Sequence, residues 1–228
     1  MIILGLDCAS KQSSVCVMKD DKIIYTAVQA TNVTHSQNLL QMVQGALTVC
    51  SVKVEDIGLY AVTDGPGSFT GIRIGLAAVK GMAAANNTPC IGVSSLKALA
   101  ESGSLPGVVI PAFDARRNQV YACAVDSGHV LIDDFCRDVG TLEEFVKNSH
   151  KDIFFVGDGK ALCYNVYSKY PCVKPCAIDM PCIAAGACRL ARKEYRASGG
   201  QSQFQLTPSY LRLSQAEREL KEKTEGKK

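Results

Sequence analysis

The chain has 228 residues, of which 47% are hydrophobic and 21% are charged. This length and composition exclude an intrinsically disordered protein, and they suffice for one large domain or two small ones. The 25 basic and 22 acidic residues give a formal net charge of +3, which is too small to indicate strong direct binding to nucleic acid.

The first half of the chain combines apolar segments with turn and capping residues. Asp20 and Asp21 predict a hairpin turn, and Thr34 followed by Gln37 predicts a capping box at a helix start. Strands are predicted at 2–7, 14–18, 22–30, 59–63 and 90–93. Helices are predicted from the Thr34 cap through Cys50, over 70–86, and from a Ser94 or Ser95 cap to about Glu101.

A cluster of turn residues at 102–107 separates this half from a second unit. A capping box from Thr141 to Glu144 predicts a helix that ends near Ser149. Strands are predicted at 108–113, 120–125, 130–136 and 153–156, and an amphipathic helix at 182–197. This order indicates an α/β protein with mixed sheets and two lobes. The predicted organisation is an N-terminal lobe at 1–102, a smaller second lobe at 103–213 and a charged, frayed tail at 214–228.

The 11 cysteines and the lack of a secretory signal at the first residues indicate a reducing, cytoplasmic compartment. Cys172, Cys176, Cys182 and Cys188 lie close together in sequence, but they contain no C-x2-C pair of the kind that structural zinc sites use. We therefore expect the cysteines to serve packing. No apolar run approaches the roughly 20 residues of a membrane-spanning helix, so no membrane association is expected.

The segment 64–75, DGPGSFTGIRIG, is the most informative in the chain. It lies between a predicted buried strand and an alanine-rich predicted helix. In this arrangement a strand is followed by a glycine-rich turn and the start of a helix. It directs backbone N–H groups and the positive end of the helix dipole at one point, as in many phosphate sites. Glycines also serve tight turns and close helix packing, so both interpretations are open at this point.

Together with the first strand and turn at 4–10, this glycine run resembles the TsaB (YeaZ-like) family of tRNA threonylcarbamoyladenosine biosynthesis proteins. Segments 114–121, 156–159 and 208–212 strengthen the resemblance, which covers about residues 1–213. The family is related to the TsaD, Kae and glycoprotease-like proteins. The resemblance implies a two-lobed actin-like/RNase H-like ATPase (ASKHA) fold with mixed β-sheets flanked by helices.

The resemblance also implies a function. TsaB-like proteins are non-catalytic partners of TsaD in the formation of N6-threonylcarbamoyladenosine at position 37 of tRNAs that read ANN codons. Catalytic TsaD relatives carry a His-x-x-x-His metal pair, but the corresponding segment here, 90–99, has no histidine or carboxylate. His35, His129 and His150 are far apart in sequence. We therefore expect no intrinsic metal and no enzymatic activity. The alternative is an enzyme of the same superfamily, either a metal-dependent glycoprotease-like peptidase or a small-molecule kinase.

The nucleotide site that the superfamily implies is expected to be vestigial. Its candidate residues are Asp7 and Ser10 in the first loop and Gly157 and Gly159 in the second lobe. An aspartate lies between those two glycines, and an uncompensated carboxylate there would repel a triphosphate. No intrinsic cofactor is expected. ATP or ADP would be bound only at the complex interface, through TsaD and the ATPase TsaE, and tRNA would be contacted only through the complex.

The predicted helix at 70–85 is apolar on nearly all sides, which favours burial of two faces. One face would pack on the sheet. The other face would either be buried within the same domain or, with the helix after Thr34, meet another subunit. The family resemblance favours the second alternative, with TsaD as the partner or, in the isolated chain, a second copy in a homodimer. The predicted interface residues are His35, Leu39, Leu40, Val43, Gly71, Arg73, Gly75, Leu76, Val79, Met82 and Ala83. Charge reversal at Leu76 or Met82 is expected to abolish TsaD binding without unfolding the chain.

Overall fold

The computed structural model describes residues 1–31, 33–178 and 181–212. Its strands are β1 Ile2–Asp7, β2 Ser13–Lys19, β3 Lys22–Gln29, β4 Ile57–Gly65, β5 Cys90–Ser94, β6 Val108–Asp114, β7 Gln119–Asp126, β8 His129–Asp138 and β9 Ile153–Val156. Its α-helices are α1 His35–Cys50, α2 Phe69–Asn86, α3 Ser95–Glu101, α4 Glu143–Lys147, α5 Lys160–Tyr167 and α6 Ile183–Ser198. The charged tail predicted at 214–228 lies outside the described residues.

The strands form two mixed sheets of similar order. The first sheet runs β3-β2-β1-β4-β5 and the second runs β8-β7-β6-β9. In each, three antiparallel strands are followed by a parallel strand that pairs with the first of the three. The predicted hairpin turn between β2 and β3 is present, with Asp20 and Asp21 both at positive φ, which is the conformation of a two-residue turn that matches strand twist.

Helices cover both faces of the first sheet. Leu6 and Val62 are partners in the parallel pairing, so their side chains share a face, and Gly75 of α2 lies over Val62. Gly5 faces the opposite side, against Ala184 of α6. Because side chains alternate across a strand, α2 and α6 sandwich the sheet between them, with α1 beside α2 and α3 beside α6.

Helix α6 therefore packs on the first sheet although it follows the second sheet in sequence. The Ala184 N–H donates to the Ser14 hydroxyl at 3.0 Å, and Ala187 and Cys188 are completely buried in the same core. Cys188 agrees with the expected packing role of the cysteines, since it is buried and its sulfur lies 3.9 Å from the carbonyl oxygen of Cys16. The division into lobes after residue 102 stays a prediction.

The second sheet has a core of its own, and here one helix was missed and one predicted cap was wrong. Helix α5 was not predicted, yet it buries Tyr167, whose ring stacks on Phe155 with centroids 5.7 Å apart. Thr141 does not cap a helix. Asp138 caps instead, accepting from the Gly140 N–H at 2.9 Å at the start of a 3₁₀ turn, Val139–Leu142, and α4 ends at Lys147.

Among the described residues, no helix combines the length and the apolar composition that crossing a bilayer requires.

Substitution of Gly186 by alanine tests the contact between α3 and α6. A Cβ atom at Gly186 would overlap the backbone carbonyl of Ala98, so the two helices must separate. We expect G186A to lower the free energy of unfolding by about 1–3 kcal/mol, as overpacking does. The matched control is G45A in α1, where a Cβ meets nothing within 4 Å, and which should stabilise by up to about 1 kcal/mol through helix propensity. Urea unfolding of both variants checks this, and equal effects would contradict it.

Candidate functional site

The candidate site begins at Asp7, the last residue of β1, in the middle of the first sheet. Asp7 is fully buried. Its Oδ1 atom accepts from the Thr63 hydroxyl at 2.7 Å and from the Ala9 N–H at 3.1 Å. Its Oδ2 atom is buried and has no hydrogen-bond partner among the described residues.

This burial perturbs the carboxyl group. Desolvation raises the pKa of Asp7 from 3.8 to about 6, although the hydrogen bonds from Thr63 and Ala9 and the charge of His35 oppose the increase. His35, at the start of α1, has its Nε2 atom 3.0 Å from the carbonyl oxygen of Ser10. The first loop, 8–12, is thus tied to α1 by the contact of the His35 side chain with the Ser10 carbonyl. The Ser10 hydroxyl lies 3.3 Å from the Gln12 nitrogen, which donates to it within the same loop.

The glycine run packs directly against this first loop. A Cβ atom on Gly67 would overlap the carbonyl of Ala9, and one on Gly71 would overlap the carbonyl of Cys8. The Ser68 N–H donates to the Ala9 carbonyl at 2.8 Å, and the Ser68 hydroxyl accepts from the Gly71 N–H at 3.2 Å. The two N–H groups of Ser68 and Gly71, at the α2 start, are therefore directed at the chain itself. Here the glycines serve close backbone approach, the second of the two interpretations that the sequence left open.

A C-terminal segment, 208–212, which we call the strap, covers the other side of the glycine run. The Ser209 N–H donates to the carbonyl of Asp64 at 2.7 Å. The Tyr210 ring stacks on Phe69, with centroids 4.3 Å apart and planes inclined by 18°. Arg212 donates from Nη1 to the carbonyl of Ala115 at 2.9 Å. The strap thus links the glycine run to the loop that joins β6 and β7.

The second-lobe loop is also occupied by the chain itself. Gly157 has a φ of +97°, and a Cβ atom there would overlap the carbonyl of Ala112. A Cβ atom on Gly159 would likewise crowd the backbone of Ala112 and Phe113. Asp158 accepts from the Asp114 N–H at 3.0 Å. Burial raises the pKa of Asp158, while this hydrogen bond and the positive charge of Lys11 lower it. The Asp158 carboxylate, which we expected to be uncompensated, therefore has a hydrogen-bond donor in Asp114 and a nearby positive charge in Lys11.

The predicted interface residues separate into two sets. Leu40 is 57% exposed, Arg73 is exposed, and His35 and Met82 are half-buried. The others lie in the core of the chain itself: Leu39, Val43, Gly71, Gly75, Leu76, Val79 and Ala83. These buried residues have no free surface to offer a partner. The expectation that charge reversal at Leu76 leaves the fold intact is wrong for the same reason, because Leu76 is only 4% exposed.

Sequence reasoning missed a second acidic cluster, where the ends of β4 and β5 approach β8. The Ser94 hydroxyl donates to Asp134 at 2.6 Å, and the Asp134 Oδ1 atom is buried with no partner in the described part of the chain. Burial, with the nearby charge of Asp134, raises the pKa of Asp64 to about 6. Asp64 is the first residue of the glycine run, so the sequence motif could have indicated it. Its neighbour Asp134 on β8 is distant in sequence, and no sequence pattern indicated it.

Comparison with known proteins identifies the family. Residues 29–218 match the family model described as TsaD, tRNA N6-adenosine threonylcarbamoyltransferase. The chain belongs to the TsaD family. The Bacillus subtilis protein named tRNA threonylcarbamoyladenosine biosynthesis protein TsaB is 28% identical over 226 residues, which is 95% of this chain and 96% of that protein. The resemblance predicted from the motifs is therefore confirmed.

Solved structures agree with this assignment. YeaZ from Pseudomonas aeruginosa superposes with a TM-score of 0.77 at 25% identity, over 92% of this chain and 99% of that one. Component A of (R)-2-hydroxyglutaryl-CoA dehydratase from Acidaminococcus fermentans shares the fold alone, with a TM-score of 0.54 at 14% identity over 86% of this chain and 99% of that one. The predicted actin-like fold class is confirmed.

Within the part of the chain that the structure describes, no three histidine, cysteine, aspartate or glutamate side chains are grouped so that they could hold a metal ion. The expected lack of a metal or an intrinsic nucleotide stays a prediction.

Substitution of Asp7 by asparagine tests the buried carboxyl group. The folded-state pKa of about 6 exceeds the unfolded value of 3.8, so the folded state holds the proton more tightly, and the wild type loses stability as pH rises from about 4 to about 6. Asparagine does not ionise. We therefore expect the stability of D7N relative to the wild type to increase by up to about 3 kcal/mol between pH 4 and pH 7, since one pKa unit corresponds to about 1.4 kcal/mol. Urea unfolding across this pH range measures it, and a constant difference would contradict the assignment.

Proposed function

We propose that this chain takes part in forming N6-threonylcarbamoyladenosine at position 37 of tRNAs that read ANN codons, as a non-catalytic partner of a TsaD enzyme. The similarity to TsaB over nearly the whole of both chains supports the pathway. The observation that carries the non-catalytic role is the close approach of the chain's own backbone to the glycine run and to the Gly157–Gly159 loop, since carbonyl groups lie where side chains at these glycines would be. In this role the chain stabilises a working arrangement of TsaD, and ATP, TsaE and tRNA act through the complex.

The partner surface that we propose is the outward side of α1 and α2. Arg73, Ala77 and Ala84 are exposed and recur at helical spacing, so they share one face of α2. Gly81 is exposed on that face with open space above it. A glycine inside an exposed helix costs about 1 kcal/mol relative to alanine. The small size of Ala77, Gly81 and Ala84 allows the backbone of a second helix to come close to this face of α2, and such a contact would explain why small residues are present there.

The same surface continues onto α1. Leu40 is more than half exposed, and it borders a groove of about 590 Å³ that Leu47, Val54 and Met82 also line. Exposed leucine beside an apolar groove is typical of a protein–protein contact. We propose that TsaD covers this groove and the exposed face of α2 together. In the isolated chain a second copy would cover the same surface.

Substitution of Leu40 by aspartate tests the surface. Because Leu40 is exposed, L40D should leave the melting temperature within a few degrees of the wild type, while a charge placed in an apolar contact should weaken binding to the TsaD of the same genome at least 10-fold. Co-purification and titration calorimetry measure the affinity.

The matched control is V49D. Val49 is 71% exposed on the same helix, and nine residues at about 100° each place it on the opposite side from Leu40. V49D should bind TsaD as the wild type does. If L40D binds with unchanged affinity, this surface is not the interface.

A reconstituted modification assay tests the non-catalytic role. We expect TsaD with TsaE to modify tRNA only when this chain is added, and we expect the isolated chain to hydrolyse no ATP and to contain no stoichiometric iron or zinc. ATP turnover or peptidase activity of the isolated chain would instead support an enzyme of the same superfamily.

A further inference from the structure

We infer that Tyr210 is a positioning residue: it holds the Arg73 guanidinium ready for a carboxylate of the partner subunit. The inference rests on the proposed function, because it assigns a specific contact to the surface proposed above. Tyr210 lies on the strap, and Arg73 lies in the second turn of α2, 137 positions earlier.

The contact between these residues has a defined geometry. Arg73 donates from Nε to the Tyr210 hydroxyl at 2.7 Å, and its Cζ atom lies 5.7 Å from the centre of the Tyr210 ring. The hydrogen bond uses only one of the five N–H donors of the guanidinium. Among the described residues, no carboxylate lies within 4 Å of Arg73, and no other polar partner of its side chain is found. Within 1–31, 33–178 and 181–212, the two Nη atoms thus have no partner, which leaves them open to a ligand as far as these residues are concerned.

The strap keeps Tyr210 in place from both ends. Ser209 is held to Asp64 by a backbone hydrogen bond, and Arg212 is held to Ala115 in the loop between β6 and β7. Stacking on Phe69 fixes the ring plane. A long arginine side chain on a helix surface loses rotamer entropy when it is bound, so a contact that already holds it lowers the cost of binding.

The chemistry of the surface indicates what Arg73 binds. Arg73 shares the exposed α2 face with Ala77 and Ala84, so a protein that covers that face removes water from the guanidinium. A buried charge without a counter-ion is strongly destabilising. The covering protein must therefore supply an anion, and a carboxylate matches the planar guanidinium with two parallel hydrogen bonds.

A double-mutant cycle tests the inference. Y210F keeps the ring on Phe69 but removes the hydroxyl that accepts from Arg73, and R73A removes the guanidinium. We expect R73A to weaken TsaD binding about 10- to 100-fold and Y210F to weaken it about 3- to 10-fold. The double variant should bind like R73A alone, because Tyr210 acts through Arg73. Melting temperatures of both single variants should stay near the wild type.

Two further readouts separate positioning from simple structural support. TsaD affinity of the wild type should fall with added salt more steeply than that of R73A, because the arginine–carboxylate pair is partly screened. R73K should not restore full affinity, since lysine lacks the planar fork.

The outcomes distinguish this inference from the proposed function. If L40D abolishes binding while R73A and Y210F bind as the wild type does, the surface stands and the inference is overturned. Additive effects of R73A and Y210F would overturn it as well. If R73A leaves TsaD binding unchanged but weakens binding of tRNA to the assembled complex, Arg73 contacts phosphate and the carboxylate assignment is wrong. If no variant, L40D included, alters TsaD binding, the proposed surface itself fails.

Discussion

The close approach of the first loop, 8–12, to the glycine run, 64–75, governs this structure. The carbonyl groups of Cys8 and Ala9 occupy the space where side chains at Gly71 and Gly67 would lie. Only glycine permits that approach. It sets where α2 begins and how it lies on the sheet. The place of α2 in turn determines where the strap can stack Tyr210 and which side of the helix stays in solvent. Ser68 adds a hydrogen bond between the two segments, from its N–H to the Ala9 carbonyl.

The same approach gives the glycine run a packing role. A helix start binds an anion through N–H groups that point to open space. At this helix start the Ser68 and Gly71 N–H groups bind the chain itself, and Gly157 and Gly159 meet the β6 backbone in the same manner. At both places the glycines let two backbone segments lie against each other. The buried carboxyl of Asp7 lies beside the first of these contacts, where it accepts from Thr63 and Ala9, and its burial raises its pKa.

The outward side of α2 completes this arrangement. Leu76 and Val79 on its inner side are buried against the sheet. The exposed alanines and Gly81 on its outer side do not contribute to the core of the chain. Small residues give little stability to an exposed helix face, but they let a second backbone come near. Arg73 adds a charge at one end of that face and the strap adds an aromatic support.

The sequence by itself determined the elements and the family. Periodicity placed β1 to β9 and most helices within a few residues, because alternation and capping depend on near neighbours. The glycine run identified the relatives because its residues are contiguous. Other features depended on tertiary structure. Helix α2 is apolar on nearly all sides and carries no periodic signal of direction, so only packing decided that Leu76 faces inward. In α1, Leu39 and Leu40 are adjacent and chemically identical, and packing decided which of them is buried. The return of α6 to the first sheet and the contact between Tyr210 and Arg73 join residues more than a hundred positions apart, and no local pattern encodes such contacts.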